Sequence, residues 1–508
     1  MNFQTYKLKS QARKVCLMGL CLLPGQQGFA QKADRSLTVD QCVELALRQN
    51  LAVESVKIGM QLADADIDVA KSYQDGKTTW QGVHEDSELP SMNVPSQGAA
   101  TSSFLTGDYA RRYASGTTLG VGGALSRLEF ADATVPFEEL YIADVRLKGQ
   151  QSLLDNAWGR QDRARVEVAE SGRDQALARF MAERNRVAAR VHQAYWRAYT
   201  ASNLFLVNER ALQRARELLE KNRSYFEDGL IDETGLIAAE ASLAQRDVDI
   251  LSLENRTLTE LDLLKEQINL PYQQWNDTRI LFPESLEAAP QPLEYPLEQA
   301  MLQAFQHRPD LRFLRAEQGQ LQAQLKVAGE RGKSDLSVFG EVGVGNYADD
   351  FGDSLEPDRS VWSVGARWET PTQASGKEAE LRKVRLGLER NLIETRALEQ
   401  TVARELRQAI RELSVAYERR TAARRARELQ QKKLALEEAK FEQGRSITAL
   451  LIEYQDDLSF AELAEVKSVA DLHATQVRFD LARGMLVDHS SVEGADPVAG
   501  PSLTEPMP

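Results

Sequence analysis

The side chains able to carry covalent or metal chemistry are scattered through this chain of 508 residues. The five histidines, His84, His192, His307, His473 and His489, stand far apart, with none of the short spacings by which imidazoles share a metal ion. No phosphate loop, nucleophile elbow or zinc motif occurs. The three cysteines are Cys16, Cys21 and Cys42. No enzyme activity, cofactor or metal is therefore expected. What the sequence offers instead is charge and shape at two matching bends. Phe226-Glu227-Asp228-Gly229 recurs as Phe441-Glu442-Gln443-Gly444. Leu236 and Leu243 after the first copy match Leu451 and Leu458 after the second. Glycine allows a helix to end in a tight reversal. Asp228, Asp232 and Glu233 gather negative charge at the first bend, where carboxylates also offset the dipole of the next helix.

The elements that position these bends are themselves duplicated. Gln41, Ala46, Ala65, Val69 and Ala70 correspond at one constant offset to Gln299, Ala304, Ala323, Val327 and Ala328. Two halves of one object are expected, at 31–288 and 289–486, joined by a proline-rich linker near 281–296. Each half opens with an amphipathic helix, over 39–72 and up to about 331, the second broken near Pro309. Each then passes through strands and into a long heptad-like helix, about 157–228 and 375–443. A return helix follows, about 233–269 and 446–484. Val187, Val191, Ala194, Ala198, Phe205, Leu212, Ala215 and Leu219 form the narrow seam of the first long helix. Some seventy residues at ~1.5 Å each make a rod of about 100 Å that cannot bury itself alone.

Strands are expected within 78–150 and 336–371. Tyr141, Ala143, Val145 and Leu147 alternate with Asp144, Arg146 and Lys148. Trp362, Val364, Ala366 and Trp368 alternate with Ser363, Gly365, Arg367 and Glu369. The first copy is longer by 43 positions between its opening helix and its bend, which reads as a long surface loop in the strand region.

More than a quarter of the residues are charged and only 7% are aromatic, which suits helices with wet faces better than a thick core. The net charge of −14 argues against nucleic acid as the main partner. Residues 1–30 read as an export signal, with Lys7, Lys9, Arg13 and Lys14 before an apolar run from Val15 to Leu23 and small residues near Ala30. Cys21 follows Leu20 where a lipid-anchoring signal would want a small residue. With the leader removed only Cys42 remains, so no internal disulfide can form. The tail 487–508 has the composition of a disordered segment. No later stretch reaches the roughly 18 apolar residues of a spanning helix, so any entry into a membrane must be by strands. Taken singly, the strands could form a small soluble sheet and the helices a structural coiled coil.

The order of these pieces resembles that of TolC-type outer-membrane efflux factors. The resemblance rests on Ala46-Leu47 with Asn50-Leu51 and on Ala304-Phe305 with Arg308-Pro309-Asp310-Leu311. It rests also on the turns out of the strands, Gln151-Ser152-Leu153-Leu154 and Glu369-Thr370-Pro371, and on the two bends. Ser152 and Leu51 stand where relatives often carry proline. The resemblance implies an α+β, mainly α protein: a homotrimer with a helical barrel in the periplasm and an outer-membrane β-barrel of twelve strands, four from each protomer. In that setting Trp362, Val364, Ala366 and Trp368 would face outer-membrane lipid. Gly229, Leu230, Ile231, Gly444, Arg445 and Ser446 would form the periplasmic tip and meet an adaptor protein coupled to an inner-membrane transporter. Glu453 would place an acidic ring at the pore entrance, with Asp228 and Asp232 nearby. Gly235 and Leu450 fall where the best-known relative has acids. The implied function is passive exit, in efflux or type I secretion, powered elsewhere. An exported periplasmic coiled-coil adaptor is the alternative, and two hairpins with two strand regions count against it.

Overall fold

A computed structural model describes residues 33–86, 99–130, 138–276, 278–283, 295–330, 334–370 and 375–488. The leader and residues 489–508 of the tail lie outside the described residues. In chain order the elements are β1 (Ala33–Ser36), α1 (Val39–Gln49), α2 (Leu51–Lys71), β2 (Lys77–Asp86), β3 (Ala99–Arg112), β4 (Thr117–Phe130) and β5 (Glu139–Ser152). Next come α3 (Arg160–Glu227), α4 (Glu233–Gln267), β6 (Thr278–Leu281), α5 (Leu297–His307) and α6 (Pro309–Glu330). The chain closes with β7 (Asp335–Ala348), α7 (Phe351–Ser354), β8 (Arg359–Glu369), α8 (Ser375–Glu442) and α9 (Thr448–Arg483).

The long helices α3 and α8 have 68 residues each, as their heptad-like spacing requires. Val187, Val191, Ala198, Leu212 and Ala215 are buried along α3, and the seam continues through Leu218 rather than Leu219. Near the sheet α3 packs between α2 and α6, and α6 leans on α8. Near the bends α3 packs between α4 and α9, and α9 leans on α8. Apolar clusters gather where these layers meet. One, around Cys42, Val191, Tyr195, Trp196, Tyr199, Leu264 and Ile280, joins α1, α3, α4 and β6. Another holds Leu311, Val402, Leu406 and Phe479, and a third, Leu218, Leu434, Phe441, Leu451 and Leu458, fastens the bends.

The duplication appears in hydrogen bonds as well as in sequence. The opening helix of each half is in fact two helices, broken at Asn50 in the first and at Arg308 in the second. Asn50 Nδ2 donates to the Gln267 carbonyl at the end of α4, and Arg308 Nη1 donates to the Ala482 carbonyl at the end of α9. Gln267 and Ala482 are themselves equivalent at the offset of the two bends. Asn269 and Gly484, also equivalent, both take positive φ to close their helices. The expectation of one continuous helix over 39–72 is thus corrected. Asn50 uses its side-chain oxygen to cap α2 through the Ala52 N–H, which interrupts the helix.

The strand region departs furthest from expectation. One antiparallel sheet runs β2-β3-β4-β5-β7-β8, so the chain supplies six strands where four were expected. Most of the extra length in the first half is not a loop but the hairpin β3–β4, paired without interruption from Thr101 opposite Glu129 to Arg112 opposite Thr118. A second small sheet, β1 parallel to β6, was not legible in either segment alone.

The two bends are built alike. After α3 the Gly229 N–H bonds the Phe226 carbonyl and the Leu230 N–H bonds the Tyr225 carbonyl; after α8 Gly444 bonds Phe441 and Arg445 bonds Lys440. Both glycines have φ near +70° (+71° and +68°), and a Cβ at either would meet nothing within 4 Å. Glycine is needed there for its dihedral angle and not for space. Gly229→Ala and Gly444→Ala should each destabilise their hairpin by about 1–2 kcal/mol, the cost of a left-handed L-residue. Lowered thermal stability and faster proteolysis at the substituted bend, with strand content unchanged, would register it.

Candidate functional site: the paired bends and the two-faced sheet

The residues expected at the tip do lie at the turns between helices. Leu230 is exposed and Ile231 half-buried at the first bend, and Arg445 is exposed at the second, its Nη1 donating to Gln443 Oε1 at 3.2 Å. Ser446 instead turns inward and donates to Glu437 Oε1 at 2.6 Å, while Lys440 reaches the other Glu437 oxygen at 2.8 Å. Asp228 is exposed at the C-terminal cap of α3. Asp232 caps α4 by accepting from the Gly235 N–H at 3.1 Å, so its carboxylate has a structural task at the bend. Glu453 is exposed on α9. Its neighbours one turn on are engaged: Asp456 accepts from Arg246 of α4 at 2.5 Å, and Asp457 from Lys433 of α8 at 2.9 Å.

Between the two bends sits a polar cluster that the sequence reading missed. Asn222 of α3 is fully buried and donates from Nδ2 to the Gly235 carbonyl at 3.1 Å and to Thr448 Oγ1 at 3.0 Å. One side chain thereby ties the first hairpin to the start of the second return helix. Gly235 is packed closely enough that a Cβ there would stand 3.3 Å from Thr448 Oγ1. The signal was present in the spacing. Ala215, Leu218, Asn222 and Tyr225 continue the apolar seam by threes and fours, and a polar residue on such a seam fixes register.

Higher on α3, His473 of α9 stacks on Trp196 with ring centroids 3.9 Å apart. Burial, helped by the charges of Arg420 and His192, pushes the His473 imidazole down to about 4. Burial also lowers His192, against an opposing pull from Asp40. Neither makes a metal site, and no cluster of metal-ligating side chains occurs among the described residues.

At the far end the sheet has two chemically distinct faces. On one, Trp80, Leu105, Tyr109, Leu119, Val121, Val145, Leu147, Val342, Val344, Trp362, Val364 and Trp368 are all exposed, and cross-strand register keeps them together. Ala366 lies on the same face opposite Val338. The short helix α7 covers the end of this face near the β7–β8 turn, with Phe351 edge-on to Tyr141 at 5.7 Å. The opposite face carries Asp108, Lys148, Glu341, Arg146 and Asp144. Lys148 bonds Asp108 at 2.5 Å across β4, Arg146 bonds Asp144 at 2.8 Å, and Arg146 reaches Glu341 at 3.4 Å. Gly122 lies between Asp108 and Lys148, where a Cβ would collide with Asp108 Oδ1. No helix among the described residues is long and apolar enough to cross a membrane.

With these features in view, comparison with known proteins is informative at the level of fold. No protein-family profile matches the chain, and no curated protein matches it in sequence. Solved structures do. The chain resembles the Campylobacter jejuni CmeC outer membrane channel at 16% identity and a TM-score of 0.63, over 89% of this chain and 86% of that one. It also resembles the outer membrane protein VceC of Vibrio cholerae, at 13% identity and a TM-score of 0.62, over 88% and 96%. The open state of the Neisseria gonorrhoeae MtrE outer membrane channel matches at 16% identity and a TM-score of 0.61, over 88% of each chain. The fold is therefore that of the TolC-like outer-membrane channels, mainly helical with an antiparallel sheet, as the sequence resemblance implied.

Two outcomes are expected of this region. Because the imidazoles of His473 and His192 are held below their unfolded value of about 6.5, the unfolded chain binds more protons as pH falls. The contribution of His473 to stability is complete above that value and shrinks as pH drops from about 6.5 toward 4, and His192 acts in the same direction. His473→Phe, which keeps the stack on Trp196, should flatten the fall in melting temperature over this window relative to wild type. Asp456→Asn should weaken the α4–α9 link by about 1–3 kcal/mol, because it leaves the mostly buried Arg246 guanidinium without its charged acceptor. Increased hydrogen exchange along α4 would report that loss.

Proposed function

We propose that this protein is an outer-membrane exit duct: a homotrimer whose sheets close into a barrel in lipid and whose long helices carry the pore into the periplasm. The observation that carries the reading is the exposed apolar face of the sheet, which continues across all six strands. Water penalises such a face at roughly 25 cal/mol per Å², whereas acyl chains accept it. The long helices cannot share that environment. A charge at mid-bilayer costs roughly 2.5–3.5 kcal/mol even on the gentler insertion scale, and α3 and α8 carry many, so they stand in water.

A trimer is supported by what each layer leaves open. The sheet ends in two unpaired edges, β2 and β8, and backbone groups in hydrocarbon must be paired. The helical layer ends at α2 and α4 on one side and α8 on the other, all with exposed apolar residues: Ile58 and Leu62, Val248 and Leu251, Ile393 and Leu436. Edge meeting edge around a threefold axis covers both sets. The polar face, with its row of alternating charges, then lines a hydrated lumen.

No group performs chemistry in this reading, and no cofactor takes part. Solute passes down its route because an inner-membrane transporter does the work through a periplasmic adaptor. The adaptor docks on the bends, where Leu230, Ile231 and Arg445 present a mixed apolar and cationic surface beside Gly229, Gly444 and Ser446. Glu453 supplies one carboxylate per protomer to the entrance, with Asp228 and Asp232 adding charge at the bend. The proline-rich linker and the leader keep their sequence-based roles of joining the halves and directing export.

Fractionation is the first test. The protein should sediment with outer membranes and need detergent to be released as a trimer, and a soluble periplasmic monomer would refute the duct. In planar bilayers, conductance should be blocked from one side by multivalent cations, and Glu453→Gln should weaken the block. An undiminished block would remove Glu453 from the entrance.

A further inference from the structure

The β3–β4 hairpin is the part of the molecule that the duct reading does not require. Four strands, β2, β5, β7 and β8, already connect every helix that enters or leaves the sheet: α2 leads into β2, β5 into α3, α6 into β7, and β8 into α8. The hairpin is inserted between β2 and β5, and it separates them within the sheet. Three independent features fix it as wall and not as a flap. Its backbone pairs on both sides, β3 with β2 over ten residue pairs from Lys77 opposite Ala110 to Asp86 opposite Thr101, and β4 with β5 from Thr117 opposite Gln151 to Glu129 opposite Glu139. Its side chains share the two faces of the rest, with Tyr109 and Val121 in the exposed apolar band and Asp108 bonded to Lys148 over Gly122 in the polar row. Its turn is anchored to the helical layer: Arg163 Nη1 donates to the Ala114 carbonyl at 2.8 Å, and Arg112 pairs with Asp162 at 3.3 Å. Gly116 and Gly159 approach there so closely that a Cβ on Gly116 would stand 2.6 Å from the Gly159 nitrogen.

We propose that the hairpin is a barrel-wall insertion, so that three copies of the six-stranded sheet close an eighteen-stranded barrel with a mouth of porin width. The inference rests on the trimeric duct reading. With strands ~4.8 Å apart and tilted ~40°, twelve strands make a barrel about 24 Å across between backbones, and eighteen make one about 36 Å across. The membrane end would then hold a wide aqueous vestibule over a helical duct of ordinary width. Selection by size would fall to the helices and bends and not to the barrel.

Single-particle imaging of the full-length trimer in lipid nanodiscs tests this directly. Eighteen strands around the axis, with Asp108 facing the lumen, is the expected result. A twelve-stranded ring with residues 99–130 lying off the wall would overturn the inference and leave the duct intact. A particle with no ring would overturn the duct reading itself. A second measurement uses single cysteines in membranes, after Cys42→Ser. Val121→Cys should resist a membrane-impermeant maleimide and be quenched by lipid-borne spin labels, whereas Leu230→Cys should react freely. If Val121→Cys labels as readily as Leu230→Cys, the hairpin is in water and the wider barrel is excluded.

Discussion

A sheet that leaves both edges unpaired and a broad apolar band exposed along one face sets the terms for the rest of this molecule. In water such a sheet would pair its edges with any available chain. In hydrocarbon it must pair them, since no solvent is there to take the backbone groups. Both demands are met if identical sheets join edge to edge into a closed wall, and the remaining architecture follows from holding that wall in place. The helices must begin at the sheet, so each strand that leaves it turns directly into a long rod. The first of these turns is tight: Asn156, Trp158 and Gly159 all take positive φ, and the Asn156 side chain accepts from the Gln161 and Asp162 amides to start α3.

The helical part solves a different problem with the same economy of repetition. A rod of 68 residues with a narrow seam gains little from any one contact, so stability comes from many modest ones in series. Neighbours exchange along its length: α2 and α6 serve the stretch near the sheet, α4 and α9 the stretch near the bends. The handover occurs at the helix breaks, where Asn50 and Arg308 bind the carbonyl ends of the return helices. Arg308 is also held by Asp310 and Glu405, both at 2.7 Å, so the second junction is the more strongly charged of the two. The two joints differ in chemistry and share one equivalent side-chain bond to the end of a return helix.

Much of this was legible from residues alone, and the reasons differ by element. The long helices and their ends could be read because heptad spacing persists over many turns and glycine marks each stop. The strand faces could be read wherever large apolar residues alternate strictly, as from Trp362 to Trp368. The β3–β4 hairpin was only half legible: Leu119 to Leu125 alternate weakly because Gly120, Gly122 and Gly123 interrupt them, and in β3 Gly107 leaves room for the Trp80 ring as Gly122 does for Asp108. The helix break at Asn50 was lost because it carries no proline, unlike its partner before Pro309. Asn222 was hidden by its neighbours Glu220, Lys221 and Arg223, which look like a solvated face, although its own position falls on the seam. Arg246 and Asp456 could not be paired in advance, since only the packing of α4 against α9 brings them together.

The central claim is that the apolar face of the sheet sits in lipid. It is tested most directly by tryptophan fluorescence of the protein reconstituted with bromine-labelled phospholipid, read in single-tryptophan variants. Trp80, Trp362 and Trp368 should be strongly quenched, while Trp196, buried in the helical core against His473, should be untouched. If the three sheet tryptophans are no more quenched than Trp196, that face does not meet acyl chains, and the account fails.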